Sequence, residues 1–350
     1  MAAIQVDELT RTFGDVTAVD DLSFTVDDGE LFGLLGPNGA GKSTLINVLV
    51  TLLGPTTGTA RVNGYDVSSE MGAVRNSIGV VFQEQTLDEE LTGEENLAFH
   101  ARLYGMGRRE RTARIDEVLE LVGLTDVRDD RVGTYSGGMK RRLEIGRGLL
   151  HKPAVLFLDE PTAGLDARTR RDTWEYIQRM NADDGVSIVL TTHYIEEAEH
   201  LCDRVAIVDD GEIAAIDSPE ALKADLGGSV VSLAVDGSVS AFRDRLEDRP
   251  WAVEYTRTES GVNVTVERGE DRIADLVHLA DEVDAQITSV DIHRPNLETV
   301  FLSLTGDTIA SREASHERSG EEIIEPTGDG TPHQRAVDGR SESVHGGNDE

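Results

Sequence analysis

Residues 36–43 read Gly36-Pro37-Asn38-Gly39-Ala40-Gly41-Lys42-Ser43, and Thr44 follows. The spacing of Gly36, Gly41, Lys42 and Ser43 is that of a loop that wraps phosphate. An apolar β-like run, Leu31–Leu35, precedes it, and an amphipathic helical run, Leu45–Leu53, follows. Strand, glycine loop and helix in that order constrain the fold more than any other stretch of the chain. The glycines let successive backbone N–H groups turn inward as an anion nest, and the helix aims its positive end at the same point. Lys42 then reaches the β- and γ-phosphates of a nucleoside triphosphate, and the Ser43 hydroxyl ligates Mg²⁺.

A second apolar run, Val155–Leu158, brings Asp159 to the carboxyl end of a buried strand, where open α/β sheets place their ligands. Asp159 is expected to hold Mg²⁺ through a water. Adjacent residues on a strand point to opposite faces, so Glu160 is expected to turn away from the metal and serve as base for an attacking water.

The chain has 350 residues, a length that predicts roughly two domains. It carries 33 Lys plus Arg against 67 Asp plus Glu, a formal net charge of −34. That field argues against general nucleic-acid binding, which needs a basic face. The single cysteine, Cys202, excludes an intrachain disulfide framework and is read as a core residue. Apolar stretches such as Ala154–Leu158 are far short of the roughly 18 residues of a membrane span. Asp7 and Glu8 stand where a signal peptide would be apolar. These features predict a soluble, intracellular chain. Four of the basic residues are Lys (Lys42, Lys140, Lys152, Lys223) and 29 are Arg. Few lysines and an excess of carboxylates match a surface kept hydrated in concentrated salt. The segment Asp307–Glu350 accounts for only −7 of the net charge, so the body of the chain is itself acidic.

Residues 1–225 alternate short β-rich runs with helical patterns, which predicts an α/β unit with a partly parallel sheet. Residues 228–305 read strand (Val230–Val235), helix (Val239–Leu246), strand (Trp251–Thr256), strand (Val262–Val266), helix (Arg272–Val283), strand (Gln286–Ile292) and final helix (Asn296–Leu304). That βαββαβ order predicts a small ferredoxin-like α+β unit. Residues 306–350 lack aromatics and are rich in Gly, Ser, Glu and Pro, and are expected to be a disordered acidic tail.

Narrower signals lie around these elements. Tyr135-Ser136-Gly137-Gly138-Met139 opens a helical pattern (Leu143, Ile145, Leu149, Leu150) ahead of Asp159. Phe13 is placed before the first long strand. Gln83 follows the strand Ile78–Phe82, Gly164-Leu165-Asp166 follows Glu160, and His193 follows the strand Val186–Thr191. With these motifs set in chain order around the phosphate loop and the Asp159 strand, residues 1–305 resemble the ATP-binding cassette family, a P-loop NTPase fold with a helical subdomain, here about 84–150. Tyr135 and Met139 depart from the family's LSGGQ signature, while Ser136 and Gly138 keep it. Met139-Lys140-Arg141-Arg142, Phe82-Gln83-Glu84, Thr191–Ala198 and Ile292–Phe301 resemble the daunorubicin-resistance-type exporter ATPases.

The resemblance implies an ATPase subunit of an exporter, with ATP and Mg²⁺ as cofactors. Phe13 would stack on adenine, and residues 36–44 would hold the phosphates. Ser43, Gln83 and Asp159 would share the metal, and Glu160, His193, Lys42 and Gln83 would serve hydrolysis. Ser136, Gly137, Gly138 and Asp166 would act across a head-to-tail pair of cassettes, a second copy of the chain completing each site. It further implies a separate transmembrane permease, contacted by roughly Glu84–Leu103, and a peripheral place on the inner face of the cell membrane. Thr92 and Glu95 in that stretch match a capping box. Import is the alternative within transport. A DNA-repair ATPase would need long heptad arms, and only about 90 residues separate phosphate loop and signature. A ribosome-acting factor normally carries two cassettes and a basic linker. Glu196, Glu197 and Glu199 are read as a solvated helix face, and His151 and His293 receive no role.

Overall fold

The computed structural model describes residues 2–305, apart from 226–227, 237–240, 243–244, 247–248, 253, 258–260, 267–268, 284 and 294–295. The expected tail, 306–350, lies outside the described residues. So do residues 239–240 and 243–244 of the helix expected at Val239–Leu246, whose described residues are helical.

The chain opens with a long antiparallel pair, β1 (Ala2–Phe13) and β2 (Val16–Asp27). There follow β3 (Leu31–Leu35), α1 (Lys42–Leu49), β4 (Thr57–Val62), β5 (Tyr65–Asp66), α2 (Met71–Ser77) and β6 (Ile78–Val81). A helical layer comes next, of α3 (Gly93–Leu103), α4 (Arg108–Leu121) and α5 (Gly137–Leu149). The chain returns through β7 (Val155–Asp159), α6 (Ala167–Asp184), β8 (Ser187–Thr192), α7 (Ile195–Leu201), β9 (Arg204–Asp209), β10 (Glu212–Asp217) and α8 (Pro219–Asp225). One sheet is antiparallel, in the order β2-β1-β4-β5. The central sheet runs β10-β9-β3-β8-β7-β6 and is parallel except at β10.

β3, β7 and β8 are buried along their whole length, as expected of parallel strands covered on both faces. The two-residue period divides their side chains between two cores. Phe32, Leu34 and Phe157 pack with the antiparallel sheet and α1. Leu31, Leu35, Leu156 and Leu158 pack under the helices of the other layer. Fully burying one such side chain contributes on the order of 1.5–3 kcal/mol. The helix after the phosphate loop is shorter than the Leu45–Leu53 pattern: it ends at Leu49, and Thr51 takes a left-handed φ of 67°.

A third sheet contains β11 (Ser229–Asp236), β12 (Glu254–Arg257), β13 (Gly261–Val266) and β14 (Gln286–His293), with α9 (Gly269–Glu282) against it. Its order, β12-β13-β11-β14, is antiparallel throughout and is that of a split βαβ unit. It has its own core around Val231, Leu233, Val264 and Leu276. The last described helix, α10 (Leu297–Thr305), departs from the sequence reading. Leu297, Val300 and Phe301 sit in the core of the larger unit, against α7 and α8. The Leu297 N–H donates to Glu199 Oε1 at 3.0 Å. The spacing i, i+3, i+4 puts these three side chains on one stripe, and the gap between α7 and α8 buries that stripe.

Candidate nucleotide-binding site

The loop of residues 36–41 is shaped by close backbone approach. A Cβ at Gly36 would stand 2.1 Å from the Val208 carbonyl oxygen on β9, and one at Gly41 2.1 Å from that of Ala18 on β2. Gly41 also holds φ 97°, open to glycine at little cost. Pro37 and Ala40 are buried while Asn38, Gly39 and Ser43 face outward, and Thr44 is half-buried. α1 begins at Lys42 with no side-chain cap and no acidic residue in its first turn, so no acid of the helix itself offsets its positive end. The buried Lys42 ammonium donates to the carbonyls of Gly36 (2.7 Å) and Pro37 (2.8 Å).

Facing the loop, Asp159 ends β7. Ser43 donates to Asp159 Oδ1 at 3.3 Å, and the Thr191 hydroxyl donates to the same oxygen. Glu160 is not the next strand residue with its side chain simply reversed, as expected. It lies past the strand end with φ 46°, a conformation costing a non-glycine residue on the order of 1–3 kcal/mol. Its N–H donates to the Thr191 hydroxyl (3.0 Å) and carbonyl (3.2 Å). Gln83 Nε2 donates to Glu160 Oε2 at 3.1 Å, and His193 Nδ1 lies 3.1 Å from Oε1. Burial pushes the carboxyl pKa up. The His193 hydrogen bond, with the charges of His193, Lys42 and Arg141, outweighs it and holds the group below its ordinary value. Glu160 is therefore an ionised acceptor at neutral pH.

The hydroxyl–carboxylate pair Ser43–Asp159 is the hard-oxygen set that suits Mg²⁺. Among the described residues no three His, Cys, Asp or Glu side chains gather as a metal site, so a Mg²⁺ held by this pair would take its other ligands elsewhere, as from phosphate oxygens and water. The glycine cradle, the uncapped helix end and Lys42 fit a triphosphate in the same way. Gln83 joins Glu160 rather than the Ser43–Asp159 pair.

Phe13 is the last residue of β1, not a residue ahead of it, and is 44% exposed with the Arg11 guanidinium 4.5 Å above its ring. Ser136 is exposed and caps α5, accepting from the Met139 N–H at 3.2 Å. Gly138 lies against Thr169 of α6. Asp166 caps α6 through the N–H groups of Arg168 and Thr169. Tyr135, the signature's departure, is buried and donates to the Val127 carbonyl at 2.6 Å, which fastens the start of α5 to the helical layer.

The chain matches the ABC transporter family over residues 19–163. It is 40% identical over 321 residues to the daunorubicin/doxorubicin resistance ATP-binding protein DrrA of Streptomyces peucetius, covering 90% of this chain and 97% of that one. It is 38% identical over 309 residues to the linearmycin resistance ATP-binding protein LnrL of Bacillus subtilis, covering 87% and 99%. The chain belongs to the ABC transporter family. This ABC ATPase is an ATP-hydrolysing, nucleotide-binding subunit of the exporter type. Its fold is similar to that of cbiO1 from Clostridium perfringens, part of an ABC transporter complex, with 28% identity and a TM-score of 0.61 over 64% of this chain and 92% of that one. It is also similar to the ATP-binding cassette MJ0796, solved as a dimer with ADP and phosphate, with 27% identity and a TM-score of 0.55 over 61% and 98%.

Three groups of the ABC ATPase escaped the sequence reading. Thr191 binds both the Asp159 side chain and the Glu160 backbone. Arg141 is buried among backbone carbonyls of the site. Its one signal was position: with Glu144 it shares the inward face of α5 with Ile145, where an apolar residue is the usual choice. Glu197 is no part of a solvated face. It is fully buried, accepting from Thr162 Oγ1 (2.8 Å) and Trp174 Nε1 (3.0 Å), and burial pushes its carboxyl pKa up. Glu199 is half-buried at α10, and only Glu196 of the three is exposed. His151 stacks on Tyr104 and binds the Ile78 carbonyl.

Proposed function

We propose that two copies of this chain close on MgATP, the Ser136–Gly138 segment of each completing the other's site, and that closure drives export through a separate membrane permease. The observation that carries the reading is the Glu160 carboxylate, held ionised with His193 on one oxygen and Gln83 on the other, one residue beyond the Ser43–Asp159 pair. Glu160 takes the proton of the attacking water. His193 orients that carboxylate, and Lys42 neutralises charge on the phosphates. Bound Mg²⁺ would neutralise phosphate charge from Ser43 and Asp159. Phe13 would receive the adenine, and Asp166 would lie where two copies meet.

The relatives' names point to drug-type cargo: DrrA is named for daunorubicin and doxorubicin resistance and LnrL for linearmycin resistance. Among the described residues no helix is long and apolar enough to cross a membrane. A cavity of about 440 Å³ between β6 and the helical layer supports a docking place for the permease. Val80, Phe82, His100 and Tyr104 line it, and Leu103 of α3 stands 67% exposed in the same region. Burial and the nearby Arg147 charge push the His100 pKa down to about 4, so the groove presents a neutral imidazole to an apolar partner. The Thr92–Glu95 capping box fixes the start of α3. In this reading the chain works on the inner face of the cell membrane, and its acidic, lysine-poor surface works in concentrated salt.

The test is a Leu103→Cys or Tyr104→Cys chain crosslinked to its membrane partner. The native Cys202 is buried and serves as a silent background. Crosslinks from α3 are expected. Crosslinks formed only from residues 230–304 would place the permease on the small sheet instead.

A further inference from the structure

Arg141 lies one turn into α5, and its side chain is 5% exposed. All five of its N–H groups have acceptors. Nε donates to the Pro161 carbonyl at 2.7 Å. Nη1 donates to the Phe82 carbonyl at 2.7 Å and to Glu144 Oε2 at 3.3 Å. Nη2 donates to the carbonyls of Asp159 (2.9 Å) and Glu160 (3.1 Å). Three consecutive carbonyls at the end of β7 therefore converge on one guanidinium, together with the carbonyl that precedes Gln83.

The next turns of α5 extend this ladder. Glu144, 1% exposed, accepts from the Thr86 N–H at 2.7 Å. Arg147 donates to the Thr86 carbonyl at 3.2 Å and lies 3.9 Å from Glu144. A buried Arg–Glu–Arg row is weak evidence for stability, because desolvation offsets the attraction between its charges. Its contacts say more about placement: they bracket Gln83 between Phe82 and Thr86, and they take hold of Glu160 from behind. The left-handed Glu160 is thus held on both sides, its N–H by Thr191 and its carbonyl by Arg141.

We propose that Arg141 is a positioning residue that fixes the strained Glu160 backbone so that its carboxylate meets His193 and Gln83. Because Arg141 stands on the helix that starts at Ser136, this geometry depends on the pose of the Ser136–Gly138 segment and of the loop around Gln83. An incoming phosphate at the start of α5 and a displacement near Gln83 would then both be felt at Glu160. The proposal rests on the reading of Glu160 as the base.

The test uses the full chain as Arg141→Gln, Arg141→Lys, Glu160→Gln and the Arg141→Gln/Glu160→Gln double variant. ATP affinity is measured by calorimetry, and kcat for MgATP hydrolysis at neutral pH. Arg141→Gln should lower kcat by about 10- to 100-fold, the scale of loss when a reacting group is misplaced by about an ångström, with the Kd for ATP changed by less than about 3-fold. Arg141→Lys should recover part of kcat, since one ammonium reaches fewer carbonyls than the planar fork. In the Glu160→Gln background, loss of Arg141 should change the residual rate by less than about 2-fold. Losses that multiply in the double variant, or no recovery of kcat by Arg141→Lys, would overturn the proposal. If Arg141→Gln does not fold, Arg141→Lys carries the test through the same comparison of its loss in the wild-type and Glu160→Gln backgrounds. Wild-type turnover in Glu160→Gln alone would overturn the base assignment, and the proposal with it.

Discussion

Glu160 and Glu197 sit on the same pair of loops and differ in what surrounds them. Glu160 follows β7 and faces His193; Glu197 lies four residues beyond His193 and accepts from Thr162, two residues beyond Glu160. Both are buried. The first is held ionised by a histidine, a lysine and an arginine, whereas the second takes hydrogen bonds from two hydroxyls and an indole N–H, with the Arg170 charge nearby. Desolvation acts on both carboxyls in the same direction. At Glu160 the His193 hydrogen bond and the nearby cations outweigh it; at the more deeply buried Glu197 the hydrogen bonds of Thr192, Thr162 and Trp174 and the Arg170 charge oppose it without reversing it. The same residue type thus gives one group suited to accept a proton and, where burial is deeper, one suited to brace the loop that carries His193.

Replacing each acid by its amide tests that contrast most strongly. Glu160→Gln should lower steady-state hydrolysis on the order of 10²–10⁴-fold, the usual cost of losing a general base, while ATP binding persists. The trapped chain should elute as an ATP-dependent dimer in size exclusion. Near-normal turnover would remove Glu160 as the base and erase the distinction between the two pockets.

Salt separates short-range from long-range effects. The contacts of Glu160 are near 3 Å, about the screening length at 1 M salt, whereas in dilute buffer like charges interact across tens of ångströms. In the proposed dimer, two chains of −34 each would repel as they close. Activity, and the closed dimer especially, should therefore rise several-fold toward molar KCl at fixed free Mg²⁺ and ATP. Peak rate and melting temperature at about 0.1 M, falling as salt rises, would contradict the halophilic reading.

The smallest effect is expected at Glu197. Its folded pKa is raised, so the folded state binds the proton more tightly than the unfolded chain. Its contribution to stability is present below the ordinary carboxylate value and is lost as pH rises through the raised folded value. A glutamine keeps the oxygen that Thr162 and Trp174 reach and has no proton to lose. Glu197→Gln should match wild type at pH 4 and melt at the same temperature or a few degrees higher at pH 8, with hydrolysis within about 3-fold. A melting temperature lowered by more than about 4 °C at pH 8 would show that Glu197 works as a buried anion.

Legibility followed the range of the interactions. The phosphate loop, the capping box at Thr92 and the strand leading to Asp159 were readable because their geometry is set within a few residues. Glu197 was misread because residues 195–199 alone look like a charged helix turn; Trp174 and Thr162 bury it from 23 and 35 residues away. Arg141 was missed likewise, its carbonyl acceptors lying 18 to 59 residues distant. α10 was assigned to the small sheet because it is nearest to it in sequence, yet the apolar gap that accepts Leu297, Val300 and Phe301 lies between α7 and α8.

By itself the sequence determined the order of motifs, the family they belong to, the glycine cradle with its lysine, and the strand order's ingredients, because each depends on spacing along one strand, loop or helix. Only the tertiary structure decided that Glu160 leaves its strand in a left-handed turn, that Gln83 and His193 divide its two oxygens, and that α5 reaches back to hold its carbonyl. Those outcomes depend on which side chains meet when β6, β7 and β8 align beneath α5, and burial and local charge at that meeting point set the state of each carboxyl.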